Sequence, residues 1–192
     1  MTAVQTPTAL TPKTAPFAIR AEKVSDVVAR EALLDACFGE NRSLRTCQRL
    51  RDGRAPAEGL AFSAMAKGKL VGTLRLWHVS AGGIPALMLG PLAVEDSSRK
   101  LGTGAALMAH ALAAAKARGH HAVILLGDAP YYARFGFSPE KMAALALPGP
   151  FERDRLLGLE LAADALDGAC GMIVATGAKA TPVRRAPRAS AA

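Results

Sequence analysis

Apolar and polar positions change period several times along the chain, and each change predicts an element. Phe17-Ala18-Ile19-Arg20 alternates with a period of two, as a first strand does. From Ser25, a natural N-cap, Val27, Val28, Ala32, Leu33, Ala36 and Cys37 recur at helical spacing and predict a helix to about residue 37. Residues 38 to 54 hold five arginines and predict a second short helix, whose arginines either face water or line a substrate entrance. Leu60 to Ala66 and Leu70 to Val79 predict two strands joined at Lys67-Gly68-Lys69 as a hairpin. Leu87 to Val94 is the continuous apolar run of a central strand, broken by Gly90-Pro91, which a regular ladder cannot hold. Gly104 to Arg118 carries Leu107, Met108, Ala111, Leu112 and Ala115 on one helical face, and Gly119 stops it. Ala122 to Leu126, Leu156 to Leu161 and Met172 to Val174 read as later strands, and a short helix begins near Pro130.

Between the interrupted strand and the alanine-rich helix lies Arg99-Lys100-Leu101-Gly102-Thr103-Gly104-Ala105. Two glycines one residue apart let backbone approach a ligand with no Cβ in the way, and the helix start that follows offers unpaired N–H groups to an anion. A dinucleotide-binding turn requires a third small residue where Leu107 stands, and the Walker pattern is absent. What remains is Arg-x-x-Gly-x-Gly. Taken alone, the same glycines serve equally well to let a helix pack closely on a strand.

The interruption at Gly90-Pro91 exposes backbone N–H and C=O groups that an extended, amide-bearing ligand can pair with as an added strand. Downstream, Gly127-Asp128-Ala129-Pro130-Tyr131-Tyr132-Ala133-Arg134-Phe135-Gly136-Phe137 places a tyrosine four residues before a Gly-Phe pair. These three features together resemble the GNAT superfamily of acyl-CoA N-acyltransferases. With Leu89 to Val94 they are similar to its YhbS-like bacterial branch, over roughly residues 17 to 176.

The resemblance implies an α/β fold, a mixed, mostly antiparallel sheet splayed at its central strand near Gly90 and Val94, with helices on both faces and acetyl-CoA in the split. It implies that Leu92, Ala93 and Val94 bind the pantetheine arm and that Arg99, Lys100, Leu101, Gly102, Thr103, Gly104 and Ala105 hold the diphosphate. It implies an N-acetyltransferase in which a primary amine attacks the thioester directly. The tetrahedral oxyanion is then held by the backbone N–H of about Val94, and Tyr132 returns a proton to the departing thiolate. Phenol and thiol pKa values, about 10 and about 8.5, are close enough for that transfer without strong tuning. Tyr131 reads as core filling beneath the coenzyme.

The general base is harder to read, because Ala86 to Val94 holds no acidic residue where some family members have a glutamate. Asp128, at the end of a central strand and one turn from Tyr132, is the best-placed carboxylate and equally a cap for the short helix; Glu95 is second. His78 is a reserve candidate, better read as structural or surface. No cysteine is placed for an acyl-enzyme.

Composition narrows the rest. The chain has 192 residues, of which 51% are hydrophobic and 5% aromatic, enough for one domain with a proper core. Its net charge of +8 falls to about +3 once Lys13, Lys179, Arg184, Arg185 and Arg188 are set aside, a weak signal for nucleic acid. Residues 1 to 15 read as a disordered lead, 16 to 177 as the domain and 178 to 192 as a basic tail. Cys37, Cys47 and Cys170 match no metal or disulfide spacing, and no stretch approaches a membrane span or a signal's apolar core. The expectation is a cytoplasmic protein with no metal, no specific nucleic acid and no membrane partner; a homodimer stays open. Two other classes remain, a non-catalytic acyl-CoA-binding module and a dinucleotide-binding oxidoreductase, the latter disfavoured by Leu107 and the preceding hairpin.

Overall fold

The computed structural model describes residues 16–180. In chain order, β1 (Ala18–Ala21) leads to α1 (Val27–Phe38), β2 (Ala61–Ala66), β3 (Lys69–Ala81), β4 (Ile84–Leu89) and β5 (Ala93–Val94). Then come α2 (Asp96–Arg99), α3 (Thr103–Ala117), β6 (Ala122–Leu126), α4 (Ala129–Ala133), β7 (Leu145–Ala146), β8 (Leu156–Glu160) and β9 (Gly171–Ala175). The sheet runs β1-β2-β3-β4-β6-β8, with β5 and β9 also on β3 and β7 on β9. It is mixed and mostly antiparallel; β4–β6 and β7–β9 are the parallel pairs.

β3, the longest strand, is the spine. Its first half pairs with β2 on one side and β5 on the other, and its second half with β9 and β4. Alternation along it sorts the core. Leu74 and Leu76 pack with Leu107, Met108 and Ala111 of α3, whereas Trp77, Val79 and Ala81 face Leu145, Leu156 and Ile173. Ala93 touches Leu33 and Leu34 of α1, and its neighbour Val94 belongs to the α3 side, so the two long helices cover opposite faces. Burial on both faces explains why β4 and β6 read as unbroken apolar runs.

Local chemistry sets the joints. Lys67 and Gly68 form a two-residue hairpin turn with φ values of 47° and 77°, the twist such turns need. Gly39, at φ 77°, ends α1. The expected second helix is instead two 3-10 turns, Glu40–Leu44 and Thr46–Leu50, tied to other parts of the chain: the Thr46 hydroxyl donates to the Pro150 carbonyl and Arg49 to Pro148 at 2.7 Å. Ser25 does not cap α1; Asp26 stands at its N-cap, and its carboxylate accepts from Arg20, Lys23 N–H and Ser63 rather than from the helix. Those partners, Arg20 foremost, hold its carboxyl well below the usual range.

The leading segment 1–15 and residues 181–192 of the expected tail lie outside the described residues. Ala178 and Ala180 are held: Ala55 N–H donates to Ala178 at 2.8 Å and Ala180 N–H to Gly53 at 2.9 Å, so the paired body runs past residue 177. Among the described residues no helix is long and apolar enough to cross a membrane, and no three His, Cys, Asp or Glu side chains gather as a metal site.

β1, α1 and β3 are locked by a buried ion cluster. The Glu22 side chain, 8% exposed, accepts from Arg30 Nη1 at 2.5 Å and Arg75 Nε at 2.7 Å. Arg30 continues to Glu31, and Glu31 to Arg42. Removing the shared carboxylate leaves two guanidiniums partly uncompensated, so Glu22→Ala is expected to cost about 3–5 kcal/mol in urea unfolding; a loss under about 1 kcal/mol would mean that the cluster is solvated.

Candidate active site

β4 and β5 form one strand interrupted at Gly90, Pro91 and Leu92. These three residues oppose only Leu74 and Arg75 of β3, because Leu89 pairs with Leu76 and Ala93 with Thr73. The extra residue is a bulge. β4 stays beside β6 at Leu87–Val123 and Met88–Ile124, and beyond that register the two part. The Trp77 indole N–H, donating to Gly90 O at 2.7 Å, and Gly90 N–H, donating to Arg75 O at 2.8 Å, hold the bulge on β3. Glu95 N–H donates to Val71 O at 2.9 Å, which turns the backbone of Ala93 and Glu95 toward β3 and, by the two-residue alternation, that of Leu92 and Val94 away from it, into the gap. The gap opens into a cleft of about 1200 Å³.

The glycine loop closes one wall. Gly102 is the N-cap of α3 in the left-handed region at φ 78°, and the Thr103 hydroxyl, buried, donates to Ser98 O at 3.1 Å and pins the loop under the helix. A Cβ on Gly104 would meet the Tyr131 hydroxyl at 3.0 Å and Val94 Cγ2 at 3.6 Å, so the backbone there is closely approached from the cleft side. The first N–H groups of α3, a fifteen-residue helix, have no intrahelical partners, and the helix dipole adds positive potential where they point. Arg99, Lys100, Gly102, Gly104 and Ala105 line the cleft together with Leu92, Ala93 and Val94; Leu101, 52% exposed, and Thr103 do not. The Arg99 side chain is engaged, its Nε donating to Val94 O at 3.2 Å and its Nη2 3.0 Å from Asp96.

Opposite the loop stand Asp128, Tyr131 and Tyr132. Asp128 is the N-cap of α4 and accepts Tyr131 N–H through Oδ2 at 3.3 Å, so the capping role is realised, while the residue itself is exposed and lines the cleft. The Tyr132 ring packs against Gly127, where a Cβ would lie 2.2 Å from it, and edge-on to Phe137 at 5.9 Å. That burial, with Tyr131 and Asp128 adding and Arg155 opposing, raises its phenol to about 12. The gap to a thiol is therefore wider than the sequence argument assumed. Tyr131, read as core filling, is instead the tyrosine whose hydroxyl lies over Gly104, with the Arg134 guanidinium 4.0 Å from its ring centre. His78 pairs with His120 at 5.3 Å and does not line the cleft, and Glu95 does not line it either.

The remaining wall comes from the arginine-rich segment and residues 150–152. Arg42, Arg45 and Arg51 line the cleft, whereas Arg49 and Arg54 bind carbonyls elsewhere. Cys37 and Cys47 also line it. The Cys37 thiol donates to Val94 O at 3.6 Å, and burial pushes the Cys47 thiol up, away from a nucleophilic thiolate.

The chain is similar to known proteins in sequence and in fold. Residues 57–139 match the family model described as "Acetyltransferase (GNAT) domain". The chain is 29% identical over 157 residues to the "Uncharacterized N-acetyltransferase YhbS" of Escherichia coli (strain K12), covering 81% of this chain and 93% of that one. A crystal structure of Escherichia coli YhbS in complex with CoA superposes with a TM-score of 0.73 at 27% identity, covering 88% of this chain and 94% of that one. A GNAT family acetyltransferase from Brucella melitensis in complex with acetyl-CoA shares the fold, with a TM-score of 0.64 at 22% identity over 84% of this chain and 97% of the other.

The raised phenol also ties stability to pH. Tyr132 is neutral in the fold up to about 12 but ionises near 10 when unfolded, so its contribution is complete below about 10 and is lost as pH rises to about 12. Tyr132→Phe is expected to flatten the loss of stability between pH 10 and 12 by about 2 kcal/mol relative to the parent in urea titrations; parallel curves would place the ring in water.

Proposed function

From the premise that this chain carries a GNAT acetyltransferase domain, we propose that it transfers the acetyl group of acetyl-CoA to a primary amine entering the cleft from the side of the arginine-rich segment. The observation that carries this reading is the parting of β5 from β6 directly beside the N-terminus of α3, which puts free strand amides and free helix amides on one cleft.

The residues present suit the coenzyme. The loop that a Cβ at Gly104 would obstruct, with Lys100 beside it, matches a diphosphate in charge and in close backbone approach. The backbone of Leu92 and Val94 matches the amides of a pantetheine arm laid alongside as a strand. Acetyl-CoA itself supplies an activated thioester carbonyl. Val94 N–H polarises the thioester oxygen as negative charge develops on it, and no proton needs to move for that stabilisation. Holding amine and thioester together in this way contributes roughly 7–11 kcal/mol, more than any one acid or base here.

Of the two carboxylates lining the cleft, Glu152 lies 3.5 Å from Arg155 and Asp128 has no ion pair among the described residues, so Asp128 receives the amine's proton. Tyr132 then gives its proton to the departing sulfur. With its phenol near 12 that donation is uphill to a free thiolate, which sets its contribution at the lower end of acid catalysis, about 10² in rate. Neither Cys37 nor Cys47 is required, because the amine attacks directly.

Calorimetric titration with acetyl-CoA, CoA and NADH tests the premise: binding of both CoA species but not of NADH is expected, and Gly104→Asp, which sets a carboxylate in the loop, is expected to weaken acetyl-CoA binding by about 10² or more. Unchanged affinity in the folded Gly104→Asp protein would refute the loop assignment. For the chemistry, Asp128→Asn retains a capping acceptor and removes the base, and Tyr132→Phe removes the acid. Each is expected to lower kcat by about 10² or more with acetyl-CoA affinity near that of the parent. Unchanged kcat in either would remove that residue from the mechanism, and tight acetyl-CoA binding without transfer to any amine would favour a sensor.

A further inference from the structure

Seven cationic side chains line the cleft against two carboxylates, and most of the cations are already engaged. Arg42 is neutralised by Glu31 at 2.5 Å and Asp35 at 2.6 Å. Arg155 faces Glu152, Arg134 lies on the Tyr131 ring, and Arg99 and Lys100 belong to the glycine loop. On the arginine-rich wall two cleft-lining guanidiniums form no ion pair among the described residues: Arg45, which rests 5.1 Å over the Phe38 ring and donates through Nη2 to Phe38 O at 3.4 Å, and Arg51, whose Nε alone is tied, to Cys47 O at 3.1 Å.

Arg51 is the informative one. It is half-buried on the cleft wall, both of its Nη atoms lack a hydrogen-bond partner among the described residues, and burial depresses its proton affinity, with Cys47 and Asp52 only partly opposing. The wall that carries it is fastened, through Thr46 to Pro150 and Arg49 to Pro148, so the two guanidiniums stand on a fixed surface. A planar fork of free N–H donors at a fixed place fits a carboxylate or a phosphate oxygen pair.

Resting on the acetyltransferase reading above, we infer that the acceptor is an amine carrying an anionic group, carboxylate or phosphate, and that Arg51 with Arg45 binds that group while the amine faces Asp128. Arg51 and Arg45 set specificity and move no proton.

Matched acceptors test this by acetyl-CoA-dependent thiol release: glycylglycine against glycylglycinamide, β-alanine against β-alaninamide, and phosphoethanolamine against ethanolamine. At least one anionic member is expected to exceed its neutral partner in kcat/KM by about tenfold or more, and the pair that does so separates carboxylate from phosphate. Arg51→Gln, and separately Arg45→Gln in case the buried change impairs folding, are expected to reduce that ratio to within about twofold through KM for the amine, with Arg51→Lys retaining part of it. Equal or better use of the neutral partners overturns the proposal, as does no transfer to any of the three anionic amines by protein that binds acetyl-CoA. An unchanged ratio in both Gln variants overturns it too, and so does a larger effect of Arg51→Gln on acetyl-CoA affinity than on the ratio, which would assign the guanidinium to the coenzyme. Failure to bind acetyl-CoA at all would instead refute the function on which the proposal rests.

Discussion

The extra residue between Leu89 and Ala93 governs the architecture. Three residues set against two on β3 force the strand to bend while both of its flanks stay paired, and the bend carries β5 away from β6 at the level where β6 gives way to Asp128. A sheet that stayed closed there would satisfy its own N–H and C=O groups. Opened, it turns the backbone of Leu92 and Val94 into the gap, where Val94 O accepts from Arg99 and Cys37, and the buried Trp77 indole bond to Gly90 O keeps the opening from healing. α3 starts just beyond this edge, with Val94 Cγ2 in van der Waals range of a Cβ at Gly104, so strand amides and helix amides serve one cleft without a long loop between them.

Charge is arranged in a second layer around that opening. The Glu22, Arg30 and Arg75 cluster is buried between β1, α1 and β3, and its chain through Glu31 to Arg42 reaches the arginine-rich wall. Arg42 therefore contributes structure more than field. The cleft-lining guanidiniums of that wall without an ion pair among the described residues are Arg45 and Arg51. The cleft thus has an anion-seeking loop at α3 and an anion-seeking wall at residues 45–51, with Asp128 and Tyr132 on its third side.

How much of this was legible depended on the range of the forces involved. The strands from Leu60 to Ala66 and Ala122 to Leu126, α3 and the hairpin at Lys67-Gly68 follow from local periodicity and turn chemistry, and Gly90-Pro91 marked the break because proline cannot donate to a ladder. The segment 38 to 54 reads as one short helix but folds as two 3-10 helices, because Arg42 of the first is drawn to Glu31 and Asp35 of α1 while Thr46 and Arg49 of the second bond carbonyls about a hundred residues away, which no local pattern encodes. Ser25 was misread as a cap for a related reason: Asp26 is drawn to Arg20 and Ser63, and the helix begins after it. For the tyrosines, the family resemblance singles out Tyr132, but only packing shows that its ring joins the core cluster and that the Tyr131 hydroxyl lies over the loop.

By itself, the sequence determined the site of the strand break and the glycine loop with its helix, since each depends on backbone preferences that act within a few residues, whereas the class of fold came through the family that these motifs resemble. Tertiary structure alone decided which side chains share the cleft. Cys37, Cys47, Arg45 and Arg51 reach it because α1 and the 3-10 turns fold back against β5 and residues 148–151, and both Nη atoms of Arg51 stay unpaired among the described residues because the neighbouring Asp52 carboxylate accepts from Gln48 instead. Desolvation and long-range pairing are properties of the assembled interior, and they fix both the phenol of Tyr132 and the free charge of Arg51.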